Sequence, residues 1–438
     1  MTAHRYPDLS DGEPCGFCGH ATALPGQAPP PRKAVFNADA RKTVQNEINA
    51  LVPELTEISH YIHENPEIMY KEFKAHTKLT NYLTEKGLEV QQYEDIPTAF
   101  RVEYTHGNGG RVFGFNSEYD ALPAIGHACG HNLIAVAGVA AFLGVRQAMI
   151  EQDIPGKVVL LGTPAEEGGA GKVKLINAGA YKDIGACMMI HPGRGPAKYG
   201  GVGPSLAVQR IFVEYFGKSS HAAAAPWEGV NALDAATIAY ASVSAMRQQL
   251  RPEIRVHGVI TEGGGTAANV IPAYTLLSYA VRGPSAKDVD TVREKMIGCF
   301  EGAAKSTGCT VKVRAETMVT ELRNDKPLAD EYASTMSDLF RIPVTVGYDQ
   351  AANIGASTDF GNVTHELPSC HPMYGIPTPD GRANHTPEFT AIAKGEIAHE
   401  ETFKGSIAMA CVGLRFLGDP EFAEKVTKYW KEDMGKAA

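Results

Sequence analysis

The sequence predicts an α/β protein in which helices flank a largely parallel β-sheet and a smaller α/β layer is inserted into the chain. Two observations support this prediction. Short β-type runs alternate with helical patterns between about residues 84 and 190, which is typical of an α/β layer. Between about residues 206 and 317 the order becomes β-α-β-β-α-β, the split βαβ pattern of a small independent layer. A chain of 438 residues is long enough for both.

The N-terminal segment, residues 1–34, is predicted to be a flexible tail because it is rich in proline and has no helical or strand period. It contains Cys15 and Cys18 close to His20, a CxxC pattern that could bind zinc. No second pair of ligands follows at zinc-finger spacing, so a leader without a metal is the alternative.

The remaining elements follow in three segments. An α/β domain is predicted over residues 35–205; it begins with an amphipathic helix whose apolar residues recur from Val44 to Ile62. Its predicted strands are Arg111–Phe115, Val158–Leu161 and Ala186–Ile190. The inserted domain is predicted over residues 206–317, with strands at Leu206–Phe216, Arg255–Ile260, Tyr274–Val281 and Thr310–Val313. The α/β domain resumes over residues 318–438 and ends in a helix.

Composition excludes several classes of protein. The formal net charge is -9 and no run of Lys and Arg occurs, so a nucleic-acid-binding surface is not expected. The longest apolar run, Leu133–Val145, is shorter than the ~20 residues that span a bilayer, and it predicts a buried helix. The first residues show no apolar signal region, and the eight cysteines have no framework spacing. A cytoplasmic protein without membrane association is therefore expected.

Residue types that bind metals follow each of the three predicted strands of the α/β domain. Asn116 to Asp120 come after the first strand, Glu166 and Glu167 after the second, and His191 after the third. Sites in open α/β sheets form beyond the carboxyl ends of the strands, so we expect these side chains to converge. Taken singly, the Glu pair could be a solvated charge pair and His191 a histidine at the edge of the core.

A second candidate group, His127-Ala128-Cys129-Gly130-His131-Asn132, directly precedes the apolar helix. A thiolate at a helix N-terminus has a lowered pKa, which prepares Cys129 to bind a cation. The alternative is a buried free cysteine beside a solvated histidine. Adjacent Glu166 and Glu167 point in different directions, so one can bind a metal while the other takes a proton from water.

Six motifs, in this order, resemble the co-catalytic zinc aminoacylase/carboxypeptidase family. They are NSEYDALPAIGHACGHN, TPAEEGGAGK, MMIHPG, GKSSHAAAAPWEGVNALDA, ANVIP and ANHTPEF. The most similar branch is that of the hippurate, auxin-conjugate and aminobenzoyl-glutamate amidohydrolases and the β-alanyl-lysine-type cytosolic dipeptidase. The resemblance extends from about residue 40 to 435. It implies a phosphorylase/hydrolase-like mixed sheet flanked by helices, with a ferredoxin-like lid and dimerisation domain inserted.

The resemblance also implies a dinuclear metal site. The implied ligands are Cys129, His131, Glu167, His191 and His385. The thiolate favours zinc, although manganese or cobalt could be accepted. Glu166 would be the general base, and Asp120 would orient a ligand.

Three further positions carry roles implied by the family. His221 would reach the partner's active site in a homodimer and stabilise the oxyanion, while Asn269 and Arg282 would contact the substrate and its terminal carboxylate. The implied substrate is a dipeptide or an N-acyl amino acid. Two departures occur: Asn132 replaces an Asp, and Gly355-Ala356-Ser357-Thr358-Asp359-Phe360 stands where relatives often have Glu-Asp-Phe.

Two other functions remain open at this point. A catalytically silent binding or regulatory subunit with the same fold would be expected to lack the base or a ligand, and neither is missing here. A cysteine-nucleophile hydrolase would use Cys129 and His131 instead of a metal.

Overall fold

The structure is a computed structural model that describes residues 37–347 and 355–437. The tail and its CxxC pattern lie outside the described residues. The helices are α1 (Ala38–Glu64), α2 (Phe73–Glu85), α3 (His131–Glu151), α4 (Glu166–Gly169), α5 (Gly171–Asn177), α6 (Ala232–Met246), α7 (Ala286–Thr307), α8 (Lys326–Phe340), α9 (Phe360–Glu366), α10 (Pro387–Ile392), α11 (Glu396–Gly418) and α12 (Pro420–Ala437). The strands are β1 (Val90–Gln92), β2 (Phe100–His106), β3 (Val112–Glu118), β4 (Gly156–Thr163), β5 (Ala186–Met188), β6 (His191–Arg194), β7 (Gly200–Val202), β8 (Ala207–Phe216), β9 (Arg255–Glu262), β10 (Tyr274–Gly283), β11 (Thr310–Ala315), β12 (Val344–Val346), β13 (Ser369–Cys370) and β14 (Met373–Ile376).

The central sheet has six strands in the order β1-β2-β4-β3-β5-β13. Strand β3 pairs in parallel with β4 and β5, and β13 pairs in parallel with β5, whereas β2 is antiparallel to β4 and to β1. The mixed α/β class is therefore confirmed. One expectation was wrong in detail: β3 continues to Glu118, so Asn116 to Glu118 lie within the strand rather than after it.

A second mixed sheet, in the order β12-β7-β14-β6, was not predicted from the sequence. Strand β6 begins at His191, and only two residues separate it from the end of β5. The parallel pairing of β14 with β6 places Met373 opposite His191. This small sheet therefore fixes the backbone of one candidate metal ligand.

Helix α3 lies at the centre of the main hydrophobic core, between α1, α11 and the central sheet. Every residue from Leu133 to Val145 is buried, which confirms the predicted buried helix. In the described part of the chain, α3 is the one helix long and apolar enough to cross a membrane, and most of it is inside the protein. Packing inside a hydrophobic core accounts for that composition equally well.

The inserted layer is an antiparallel sheet in the order β11-β8-β10-β9, with α6 and α7 packed on one face around a separate hydrophobic cluster. Along the chain its elements run β8-α6-β9-β10-α7-β11. Buried residues alternate with partly buried or exposed ones along β8 and β10, as expected for strands with one covered face. The element order agrees with the split βαβ pattern, while the domain limits at residues 205 and 317 stay a prediction.

Candidate metal centre and active site

Five candidate ligands from distant parts of the chain lie together. We call this set the ligand cluster: Cys129, His131, Glu167, His191 and His385. Its side chains form two groups whose ligand atoms lie within 4.8 Å of one another, one of Cys129, His131 and His191, the other of Cys129, Glu167 and His385. The thiol belongs to both groups. The arrangement therefore has the form of two adjacent cation sites that share one sulfur atom.

Short turns at the ends of elements bring these side chains into position. Gly130 precedes α3 with φ 80°, and a Cβ atom there would lie 2.6 Å from Pro192, so the HACGH turn requires glycine. His131 is the first residue of α3 and Glu167 lies on α4, directly after β4. His385 adopts φ 68° in the loop before α10, where its backbone N–H donates to the Ala128 carbonyl at 2.8 Å.

The polar atoms of the cluster fit a bound cation. His131 Nε2, Glu167 Oε1 and the neighbouring Glu118 Oε2 are buried, and within the described ranges none of them makes a well-formed hydrogen bond. They face one another instead: His131 Nε2 lies 3.5 Å from Glu118 Oε2 and 3.9 Å from Glu167 Oε1. Buried polar atoms are normally paired, so three such atoms around one point indicate a missing partner of positive charge. Thiolate, imidazole and carboxylate ligands together suit zinc or a similar divalent ion.

Electrostatic interactions favour the thiolate form of Cys129. Burial alone would raise its pKa, but the charge of His191, whose Nε2 lies 3.5 Å from the sulfur, and the nearby imidazoles of His131 and His385 lower the pKa well below its usual value. The Cys129 sulfur and the Glu167 carboxylate beside it in turn raise the pKa of His385 to about 10. A metal ion would replace these protons, because binding requires neutral imidazole.

The two groups differ in their access to solvent. His131 is fully buried, and Cys129 is only 9% exposed. The His385 side chain is 53% exposed, and its Nε2 lies 3.4 Å from Glu167 Oε1. The Glu167–His385 group therefore faces the surface from which a substrate can approach, whereas the His131–His191 group lies deeper.

Asp120 connects two members of the ligand cluster. Its Oδ1 lies 3.1 Å from His131 Nδ1, and its Oδ2 accepts a hydrogen bond from the Glu167 backbone N–H at 2.9 Å. Burial would raise the pKa of Asp120, but the charge of His131 outweighs it and lowers that pKa. The contact holds His131 Nε2 toward the cluster, the orienting function expected for this residue. Asn132 instead donates to Ser59 and the Ala393 carbonyl.

Glu166 lies beside a buried ionic network that sequence reasoning missed. Glu118, Glu166 and Asp359 place carboxylate oxygens within 4.8 Å of one another. The fully buried Lys172 donates to Glu118 and to Asp359, the latter at 2.7 Å. Burial and then the negative charges of its carboxylate neighbours raise the pKa of Glu166 well above its usual value. Asp359 belongs to the late segment noted as a departure, and Glu118 to the polar run after the first predicted strand, whereas nothing in the local sequence indicated Lys172.

A second missed residue, Glu72, fixes the loop that carries Glu166. Its buried carboxylate accepts backbone hydrogen bonds from Tyr70 at 2.9 Å and from Ala165 at 3.0 Å. Both of these residues have positive φ values, 59° and 60°. The Tyr70 hydroxyl donates to the Gly169 carbonyl at 2.6 Å, so both ends of α4 are held by one segment. Burial and, to a smaller extent, the negative charge of Asp120 raise the pKa of Glu72 to about 7.

In the described residues, none of the three predicted substrate and oxyanion residues forms a hydrogen bond with the ligand cluster. His221 and Asn269 are exposed, and His221 Nδ1 accepts from the backbone N–H groups of Ala223 and Ala224. Within residues 37–347 and 355–437, neither residue bonds to a member of the cluster. Arg282 is half-buried on β10, and its guanidinium donates to Ser357 Oγ at 2.9 Å. The roles of these residues, and those of the ligand cluster, stay predictions.

Comparison with known proteins identifies the family. The model of "Peptidase family M20/M25/M40" matches residues 114–400. The chain is 40% identical over 404 residues to the Xaa-Arg dipeptidase of Mus musculus, across 89% of this chain and 92% of that protein. It is 29% identical over 302 residues to one of the subunits of the p-aminobenzoyl-glutamate hydrolase of Escherichia coli K12, across 64% and 62% of the two chains.

Solved structures show the same fold. An aminobenzoyl-glutamate utilization protein from Klebsiella pneumoniae superposes with a TM-score of 0.68 at 20% identity, covering 86% of this chain and 99% of that one. A Bacillus subtilis protein described as a dinuclear metal binding peptidase of the M20 family gives a TM-score of 0.64 at 21% identity, with 84% and 99% covered. The chain therefore belongs to the M20/M25/M40 peptidase family, and it is a metal-dependent hydrolase of peptide or amide bonds.

Proposed function

We propose that this enzyme cleaves the amide bond of dipeptides or N-acyl amino acids that keep a free carboxylate, with the ligand cluster holding two divalent ions. The observation that carries the proposal is the Cys129 thiol shared by two ligand groups, with the carboxylate of Glu166 next to them. The names of the relatives specify a dipeptide ending in arginine and an aminobenzoyl-glutamate. Both of these compounds contain an amide bond to an amino acid, which supports such a bond as the one that this enzyme cleaves.

The proposed reaction assigns separate tasks to the residues of the site. Divalent ions bound here would supply Lewis-acid polarisation of the amide carbonyl and a lowered pKa for water. Glu166 would take a proton from the attacking water and deliver it to the leaving amine. Its position suits both tasks, because one of its carboxylate oxygens lies within 4.8 Å of ligand atoms of His131 and Glu167. Asp120 and Glu72 hold the ligand and the loop in place.

We further propose a homodimer formed through the inserted domain. Strand β9 is an edge strand that exposes Val259 and Ile260, and α6 exposes Ile238 and Tyr240. An open edge with apolar side chains is a surface suited to pairing with a second copy. The exposed position of His221 supports its action on the partner's active site as an oxyanion donor.

The proposed metal and compartment rest on the thiol chemistry. Zinc is the favoured ion because thiolate ligands select it, and manganese or cobalt could substitute where carboxylate and imidazole dominate. The cysteines at positions 129, 187, 299, 309, 370 and 411 are free thiols in the structure. A reducing cytoplasm would keep Cys129 able to bind metal.

Removal of the metal tests this proposal. Treatment with a chelator should abolish hydrolysis of alanyl-arginine and p-aminobenzoyl-glutamate, since the proposed mechanism needs the cations to polarise the carbonyl and to activate the water. Dialysis against zinc, manganese or cobalt should restore it, and metal content should return to about two ions per chain. Product amino acid is measured by chromatography. Full activity in protein shown to be free of metal would refute the proposed mechanism.

A further inference from the structure

One face of the sheet in the inserted domain is not covered by its helices and carries several arginines. Helices α6 and α7 cover the face on which Ile211 and Val281 are buried. On the opposite face, Arg282 of β10 stands opposite Val208 of β8, and Ala280 stands opposite Arg210. Arg210 and Arg282 are therefore diagonal neighbours on this open face, close enough for long side chains to meet.

This pair of guanidinium groups faces the candidate catalytic loop. Arg210 Nη1 lies 3.9 Å from the position that a Cβ atom on Gly168 would occupy, and Gly168 follows Glu167 directly. Arg282 reaches Ser357 Oγ, two residues before Asp359 of the buried ionic network. The two arginines thus span the space between the inserted sheet and the loop that carries Glu166.

Neither arginine has a negative partner in the part of the chain that the structure describes. No carboxylate of residues 37–347 or 355–437 forms an ion pair with Arg210 or Arg282. Burial, and then the positive charge of Arg210, lower the pKa of Arg282. Two like charges held together without an anion cost free energy, which a bound carboxylate would recover.

We infer that Arg210 is a second, specificity-determining ligand of the substrate's free carboxylate, acting beside Arg282, whose contact with that carboxylate is already expected from the family resemblance. A planar guanidinium can donate two parallel hydrogen bonds to a carboxylate, and two guanidiniums can share its oxygens. The inference rests on the proposed function, since it identifies which part of the proposed substrate this face recognises. The inference predicts that the protein binds a dipeptide more tightly than the C-terminal amide of the same dipeptide.

The test measures binding separately from turnover. Calorimetry on metal-loaded protein with the Glu166→Gln substitution gives the Kd of alanyl-arginine and of alanyl-argininamide. Adding Arg210→Gln should weaken binding of the dipeptide by about tenfold or more, because a charge-assisted hydrogen bond is lost. Binding of the amide should change less than about twofold. Arg210→Lys should recover part of the loss, since it keeps the charge but not the fork.

Arg255 provides a matched control. It stands opposite Arg282 on the same open face, but it is exposed and its guanidinium donates to the carbonyls of Pro252 and Ile254. Arg255→Gln removes the same charge from the same sheet and should leave both Kd values unchanged.

The outcomes separate the inference from the proposed function. Equal weakening of dipeptide and amide by Arg210→Gln, or no preference for the dipeptide when Arg210 is present, would overturn the inference. Wild-type protein is assayed for hydrolysis of alanyl-arginine in parallel. A lack of turnover with carboxylate-dependent binding intact would count against the proposed function and would support the inference.

Discussion

Replacing Glu166 by Gln is expected to lower kcat by about 10²- to 10⁴-fold while leaving metal content and KM nearly unchanged. Gln has the size of Glu but cannot accept a proton from water. The substitution also removes one negative charge from the crowded group of Glu118, Glu166 and Asp359, so the folded state should not lose stability. A large loss of kcat without unfolding would mark Glu166 as the group that moves the proton.

Steady-state kinetics and elemental analysis of the same protein samples check this result. Glu89→Gln is a suitable control because Glu89 is exposed and forms no ion pair with the described residues. An unchanged kcat would place the base elsewhere. Loss of one metal ion per chain in the Glu166→Gln variant would instead indicate that Glu166 is a metal ligand.

Replacing Cys129 by Ala is expected to remove both metal ions and to reduce activity by at least about 100-fold, since even residues that only orient a ligand cost 10–100-fold. The reason is geometric: the sulfur belongs to both ligand groups. His385→Ala affects only the Glu167 group, so about one ion per chain should remain. Elemental analysis after gel filtration measures the difference between the two variants.

The same experiment separates the metal mechanism from a cysteine nucleophile. If Cys129→Ala abolished activity but kept two ions per chain, the thiol would act chemically rather than as a ligand. Cys299→Ala serves as the control, because Cys299 lies on α7 outside the ligand cluster and is only partly buried. It should change neither metal content nor kcat.

The parts of the fold that could be predicted are those with a strong local period. The order of elements from β8 to β11 follows from alternating strands and two amphipathic helices, and α3 follows from one long apolar run. The sheet β12-β7-β14-β6 could not be predicted in this way. Its strands are three or four residues long, and β7 pairs with a strand more than 140 residues away. Pairing at that distance depends on tertiary packing, which leaves no pattern in a short segment.

The residues of the site also fall into those that could be predicted from local sequence and those that could not. The ligand cluster could be proposed because its residues lie in recognisable motifs at the ends of elements. Glu118 was expected in the polar run after the first strand, but its pairing with Lys172 could not be predicted, since it ends a strand in which it is buried by neighbouring elements. Lys172 was missed for a related reason: lysine on a short helix is ordinarily exposed, and only Glu118 and Asp359 make its burial tolerable. Charges paired across the fold are invisible to local sequence reasoning.

The central claim is that two cations lie on either side of the Cys129 sulfur. Crystals grown with manganese or zinc and measured at the metal absorption edge would locate them by anomalous scattering. Two peaks per chain are expected, one beside His131 and His191 and the other beside Glu167 and His385, with Cys129 next to both. A single peak, or two peaks that do not touch this thiol, would contradict this claim.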